Sequence, residues 1–214
     1  MLRSRCLGSF EEPTVSTGLQ HVQRSTGHLV GGVDLVLAPI ASGGSLDVGI
    51  GGRGHVWQEG LWQRDLTREE GRHRGLALSL FGGRETAGGF DYSDNSLRRW
   101  SGGAQIQGRG EHGQADLVVG TQFREFGARG YYGAPASLPS RETVRDTLVL
   151  GAWQSRTERS IIQRAALLYR QLGDLYLLDE DRPALYRNRH RSDTMAAAVG
   201  GGIRITDPLA LTWR

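Results

Sequence analysis

Apolar and polar positions alternate along much of the chain, which predicts β-strands with one face of each kind. From Leu46, the set Leu46, Val48, Ile50, Gly52, Gly54 and Val56 opposes Asp47, Gly49, Gly51, Arg53 and His55. Trp100, Gly102, Ala104 and Ile106 oppose Ser101, Gln105, Gln107 and Arg109. Ala115, Leu117, Val119, Thr121 and Phe123 oppose Gln114, Asp116, Gln122 and Arg124, and Met195, Ala197, Val199, Ile203 and Ile205 oppose Thr194, Arg204 and Thr206. Shorter runs lie at Leu61–Leu66, Leu76–Phe81, Arg145–Trp153, Ile161–Arg170 and Leu209–Trp213. In the Arg145 run, Leu148 and Leu150 compete with Val149 and Trp153 for the apolar face. Ile161–Tyr169 also fits a short helix, although Arg164 and Arg170 keep to the alternation. The expectation is an all-β chain.

The connections add an asymmetry. Gly82–Arg99, Phe126–Thr143 and Gly173–Asp193 read as long loops, whereas Gly110–Gly113, Thr157–Ser160 and Asp207-Pro208 read as tight turns. Loops of roughly 15–20 residues thus alternate with turns of about 2–4, as in an antiparallel up-and-down meander whose hairpins are tight at one end, the habit of transmembrane β-barrels. The faces agree. Arg53, Arg109, Arg124, Arg164, Arg170 and Arg204 fall on polar faces, and the opposite face is nearly free of charge at mid-strand. A lipid-facing Arg at the bilayer midplane costs about 2–4 kcal/mol, so lipid demands such segregation. Trp57, Trp100, Trp153 and Phe123 lie near strand ends, the place of an aromatic girdle. A soluble antiparallel sheet with one wet face alternates in the same way.

Composition narrows the field. The chain has 214 residues, 38% of them hydrophobic, and no apolar run of membrane-helix length. Its 26 basic residues are all Arg and are interspersed with 23 acidic ones, so no nucleic-acid patch is expected. The 32 glycines lack a collagen period, and the single Cys6 excludes an internal disulfide and a cysteine-based zinc site. Arg3 and Arg5 are followed by no apolar stretch, so no signal peptide is read.

Two segments resemble loops of TonB-dependent outer-membrane receptors of the vitamin B12 receptor-like type: Phe126-Gly127-Ala128-Arg129-Gly130-Tyr131-Tyr132-Gly133, and Arg182-Pro183-Ala184-Leu185-Tyr186-Arg187-Asn188-Arg189-His190-Arg191-Ser192-Asp193. Gly88-Gly89-Phe90-Asp91-Tyr92-Ser93-Asp94 is similar to an earlier loop tip of that group, and Gly31-Gly32-Val33-Asp34-Leu35-Val36-Leu37 to the strand that ends its plug domain. The resemblance runs from about Gly75 to Arg204. It implies a 22-stranded transmembrane β-barrel with an N-terminal plug inside, ligand capture at the extracellular loops, and uptake driven by the TonB complex. The chain departs from that pattern, with about nine strands of ~10 residues, little of the plug, and no TonB box. It is therefore expected to be an incomplete segment of such a barrel. Residues 1–27 stay unassigned, 28–44 hold a remnant of the plug end, and 45–214 form the partial barrel.

On this reading the chain is part of an outer-membrane receptor for energy-coupled uptake of a large scarce ligand, cobalamin or an iron-siderophore. Its partners are that ligand, the TonB complex and outer-membrane lipid, with no nucleic acid and no cofactor. Phe90, Tyr92, Asn95, Tyr131, Tyr132, Tyr186 and Asn188 are the candidate ligand contacts, because aromatic and hydrogen-bonding side chains in outer loops suit a ring-bearing ligand. Asp91 and Asp94, beside Asn95, are closely spaced oxygen donors and the only calcium candidates, but they lack the spacing of an EF-hand. Enzymatic activity is not expected. The catalytic alternative is a barrel hydrolase with His190 as base, Ser192 as nucleophile and Asn188 or Asp193 as the orienting group. The other alternative is a soluble β-rich binding module.

Overall fold

The structure, a computed structural model, describes residues 14–16, 32–34, 40–66, 75–89, 95–111, 113–155, 161–206 and 209–213. The strands are β1 (Thr14–Ser16), β2 (Gly32–Asp34), β3 (Gly43–Ile50), β4 (Val56–Asp65), β5 (Gly75–Ala87), β6 (Leu97–Gly110), β7 (Gly113–Gly127), β8 (Arg141–Ser155), β9 (Ile161–Leu177), β10 (Arg187–Thr206) and β11 (Leu209–Trp213). β1 and β2 pair antiparallel with Val15 opposite Val33. They lie within the segments expected to be unassigned and plug-like. β3 to β11 form one nine-stranded open sheet in chain order, each strand antiparallel to its sequence neighbours. This is the expected all-β up-and-down meander.

Because directly paired residues share a face, the register sorts the sheet into two surfaces. On one, Leu80, Ala104, Val119, Val149, Tyr169 and Met195 form a continuous row from β5 to β10. The adjacent row holds Leu78, Ile106, Leu117, Gly151, Leu167 and Ala197. No described segment covers this apolar face. Leu117, Val119 and Ile106 remain 42–46% exposed, and Val48, Leu167 and Met195 at least 61%. The competition within β8 is resolved by register: Val149 and Trp153 take the apolar face, Leu148 and Leu150 the polar one.

The polar face holds the buried centre. Ser79, Gln105 and Gln107 have no exposure, and Asp116 has little. The Asp116 carboxylate accepts hydrogen bonds from the side-chain amides of Gln105 (2.9 Å), Gln107 (2.8 Å) and Gln114 (2.8 Å), so a buried acid is satisfied without a cation. The Ile40 backbone N–H donates to Gln107 Oε1 (2.9 Å), and Ile40 is buried at this floor. The chain entering β3 thus runs over the polar side. Ion pairs span the strands there: Arg99 with Glu85 and Glu59, Arg109 with Asp65, and Arg170 with Asp146. Glycines seat the rings: a Cβ on Gly103 would lie 2.5 Å from the Phe81 ring and 2.4 Å from the Val119 carbonyl oxygen.

Three expectations are corrected. The strands are longer than the alternation implied, reaching 15 residues in β7 and β8, 17 in β9 and 20 in β10. The loops shrink accordingly to residues 88–96, 128–140 and 178–186. The run from Leu46 to Val56 is two strands, because Gly51–His55 is a hairpin turn. Arg53 (φ 59°) and Gly54 (φ 65°) occupy its centre, and the His55 N–H donates to the Gly52 carbonyl oxygen (3.2 Å), the pattern of a type I′ turn. Arg53 is therefore a turn residue, not a mid-strand one. Trp57 pairs with Gly49 on the polar face and stacks beside His55 (5.1 Å), so it does not belong to an outward girdle.

Candidate functional site: an aromatic cluster at the loop end

Loops 88–96, 128–140 and 178–186 all emerge at one end of the sheet, together with the turn 51–55. At that end the polar face carries the row Leu97, Phe126, Glu142, Tyr176 and Asn188 across β6 to β10. The loop 128–140 turns back over this row through a short 3₁₀ turn, Tyr131–Gly133, flanked by Gly130 at φ 79°. Tyr132 itself sits at φ 55°, a left-handed conformation that a bulky residue rarely adopts and that surrounding contacts must hold. One such contact is its phenol, which donates to Glu142 Oε2 at 2.9 Å. That hydrogen bond, with burial and the neighbouring Glu142 and Asp174 charges, pushes the Tyr132 phenol up to about 12.

The rings form a chain. Phe126 meets Tyr131 (6.1 Å between centroids), Tyr131 meets Tyr132 (6.3 Å), Tyr132 meets Tyr176 edge-on (5.2 Å), and Tyr176 meets Tyr186 (6.4 Å). These spacings are those of favourable edge-to-face pairs. The two loops are tied beneath it: Ser140 Oγ donates to the Leu178 carbonyl oxygen (2.8 Å), and the Glu180 N–H donates to the Pro139 carbonyl oxygen (2.9 Å). Arg141 bridges Glu125 and Glu180. Burial of Asp179 pushes its carboxyl up, but hydrogen bonds from the Arg182 side chain and backbone and from the Asp181 backbone outweigh that. They hold it below the usual carboxylate range and fix the second loop.

The cluster is open at the top. Tyr131, Tyr132 and Tyr186 are 45%, 73% and 50% exposed, whereas Tyr176 is 7% exposed and its hydroxyl has no partner among the described residues. A buried unpaired hydroxyl under exposed rings is a place for a ring-bearing, hydrogen-bonding ligand. Of the residues expected to bind, Tyr131, Tyr132 and Tyr186 are brought together, and Asn188 lies directly opposite Tyr176 in the register. Asn95 stands apart from this ring chain, beside Gly89 in the loop between β5 and β6. Phe90 and Tyr92, and the calcium candidates Asp91 and Asp94, lie outside the described residues. Tyr176, Phe126 and Glu142 were missed. The alternation of Leu172, Asp174 and Tyr176 with Gly173 and Leu175 was the signal available for the first of them.

His190 and Ser192 are on β10 rather than in a loop, and both are on the polar face. Asn188 shares that face. Asp193 is on the other one, where it accepts from Tyr169 Oη (2.8 Å) and Gln171 Nε2 (3.0 Å). Among the described residues no cluster of three or more His, Cys, Asp or Glu is arranged to hold a metal ion, and no helix is long and apolar enough to cross a membrane. Comparison of the chain with protein-family models, curated proteins and solved structures returns no match.

The apolar face has boundaries of its own. Between Ala115 and Phe123 on β7, and between Gly108 and Trp100 on β6, it carries no charge. Arg84, Trp100, Phe123 and Arg145 form one row at its loopward limit, with Arg84 over the Trp100 ring (4.8 Å) and Arg145 over Phe123 (5.6 Å). Trp153 marks the opposite limit on β8. The loopward limit is uneven: charge begins at the Trp100 row with Arg84 on β5 and Arg145 on β8, two residues further out with Arg98 and Glu125 on β6 and β7, and at Asp193 on β10, four residues nearer the turn end than Arg189 in the Arg98 row.

Proposed function

We propose that the chain is part of the barrel of an outer-membrane TonB-dependent receptor, which captures a large, scarce, ring-bearing ligand such as cobalamin or an iron-siderophore at the loop end. The observation that carries the membrane part is the uncovered band on one face, free of charge between its limits from β5 to β9, with Trp100 and Phe123 at one limit and Trp153 at the other, and with Arg64 of β4 the one charge beside it, opposite Leu78. Barrel strands tilt by ~35–45°. With that tilt, the stretch from Ala115 to Phe123 rises about 22 Å, close to the ~25 Å apolar band of outer-membrane barrels. The buried amide, carboxylate and ion-pair layer on the other face suits an enclosed polar lumen, and the segment at Ile40 enters on that side as the end of a plug would. Among the described residues β3 and β11 pair on one side only, which hydrocarbon does not tolerate, so a spanning form needs further strands to close the circle.

The tyrosine cluster supports ligand capture, since it opens at the end where the loops gather and on the lumen side. The test is direct titration. Cyanocobalamin and a ferric siderophore are each added to the full chain in detergent, with Tyr176→Phe and Tyr186→Ala as variants. Binding of one ligand that Tyr186→Ala weakens by tenfold or more supports the reading. Binding of neither, with the β-sheet circular dichroism intact, removes the ligand-capture part.

A further inference from the structure

We propose that the tyrosine cluster is built for a cation: it holds a protonated amine of the ligand among the Tyr132, Tyr176 and Tyr186 rings, against the carboxylates of Glu142 and Asp174. The inference rests on the ligand-capture reading above and adds the charge of the group that is captured. Other carboxylates on the polar face are already committed. Those of Glu59, Glu85, Asp65 and Asp146 each reach an arginine, and that of Asp116 has its three amides. Glu142 and Asp174 pair with no arginine among the described residues. The Glu142 carboxylate accepts only from the Tyr132 phenol there (2.9 Å), and Asp174 Oδ1 is buried with no hydrogen-bond partner.

The register brings the two acids together. Tyr176 stands opposite Glu142, and Asp174 precedes Tyr176 by two residues on the same face of β9. Both charges raise the Tyr132 phenol, so both lie near its oxygen. The bases in the Asp174 row do not pair with them. Arg124 on β7 lies over the Phe126 ring (5.1 Å), and His190, directly opposite Asp174 on β10, is exposed and makes no bond to it. Tyr132 and Tyr186 cross the Tyr176 ring at 87° and 67° instead of stacking on it, and both are at least half-exposed, so their π faces stay open to a ligand. Such faces attract cations. An ammonium also brings three N–H donors, which suit the two orphaned acceptors, Asp174 Oδ1 and the oxygen of the buried Tyr176 hydroxyl. A neutral group leaves both carboxylates uncompensated, and an anionic one is repelled by them.

The test titrates the full chain in detergent at about pH 7, where an alkylamine is protonated. The probes are ferrioxamine B, a ferric chelate whose chain ends in a free ammonium, and its N-acetyl derivative, which lacks that charge. The wild type should bind the ammonium form roughly tenfold tighter or more, the scale of one charge-assisted hydrogen bond. Asp174→Asn and Glu142→Gln should each shrink that preference while still binding the acetylated form. Asp47→Asn, which removes the same charge from the far edge of the same face, should keep it. Equal binding of both forms by the wild type overturns the cationic inference and leaves ligand capture standing. A preference unchanged in both cluster variants also overturns it, by placing the ammonium elsewhere. Equal loss in Asp47→Asn does the same, by reducing the effect to net charge. Binding of neither form, with the sheet still seen by circular dichroism, overturns it too, and the cyanocobalamin titration then shows whether ligand capture falls with it.

Discussion

Arginine at Val119 separates a lipid-facing surface from a water-facing one by magnitude. Val119 is midway between Ala115 and Phe123, 42% exposed, with Ala104 and Val149 as its cross-strand neighbours on the same face. If water bathes this face, a half-exposed valine replaced by a long charged side chain changes stability by about 0.5 kcal/mol or less. In a bilayer the same change costs about 2–4 kcal/mol at the midplane and about 0–1 near an interface. Ala115 lies four residues nearer the turn end, about 10 Å lower at the tilt of barrel strands. Val119→Arg should therefore destabilise the vesicle-inserted barrel, closed by its further strands, by about 2–4 kcal/mol and Ala115→Arg by about 1 or less. Urea unfolding from phosphatidylcholine vesicles, followed by tryptophan fluorescence, gives both values. Two equal, small effects would refute the assignment of this face to lipid.

The Tyr132 phenol should ionise near 12, as an ultraviolet pH titration would show, and Glu142→Gln should return it toward the ordinary 10. Since its folded value is the raised one, this contribution to stability is complete below about pH 10 and is lost as pH climbs toward 12. Gly103→Ala should destabilise by about 1–3 kcal/mol, because backbone at Val119 and the Phe81 ring occupy the space its methyl group needs; thermal unfolding measures this. Arg53→Gly should stabilise the hairpin by about 1 kcal/mol in chemical denaturation, by relieving a left-handed arginine. Asp116→Ala strips the amides of Gln105 and Gln107 of their shared acceptor and should cost about 1–3 kcal/mol or more, read as a lower denaturation midpoint.

Where one face of a strand is apolar and the other polar, the alternation is legible residue by residue. Ala115 to Phe123 and Trp100 to Ile106 emerge in the register with the faces that their spacing implies. Beyond the band both faces are polar, so the contrast vanishes although the hydrogen-bonded ladder continues. Arg187 to Asp193 thus read as loop while forming the first part of β10. Tyr176 was hidden by the opposite case, apolar residues on both faces: Leu172 and Tyr176 on one, Leu175 and Leu177 on the other. The hairpin at Gly51–His55 was hidden by its glycines, which carry no side chain to betray a break in the zigzag. Tyr131, Tyr132 and Tyr186 were recognisable because aromatic clusters between strands are conspicuous. Their convergence depends on the Ser140–Leu178 and Pro139–Glu180 ties between two loops far apart in the chain, which no local pattern announces.

The anchorage of Ile40 has a mechanical corollary. Tension carried into the sheet through Ile40 meets, among the described contacts, the Ile40–Gln107 bond, deep at the floor on β6. Once that bond and the Asp65 N–H to Ser42 Oγ bond yield, the load passes to β3, an eight-residue edge strand held, among the described residues, along one side only, by β4. Pulled from its end, such a strand peels one pair at a time instead of shearing as a block. The remaining eight strands keep their mutual pairing, so the force is spent at the margin of the sheet and the tyrosine cluster on β7 to β10 is spared.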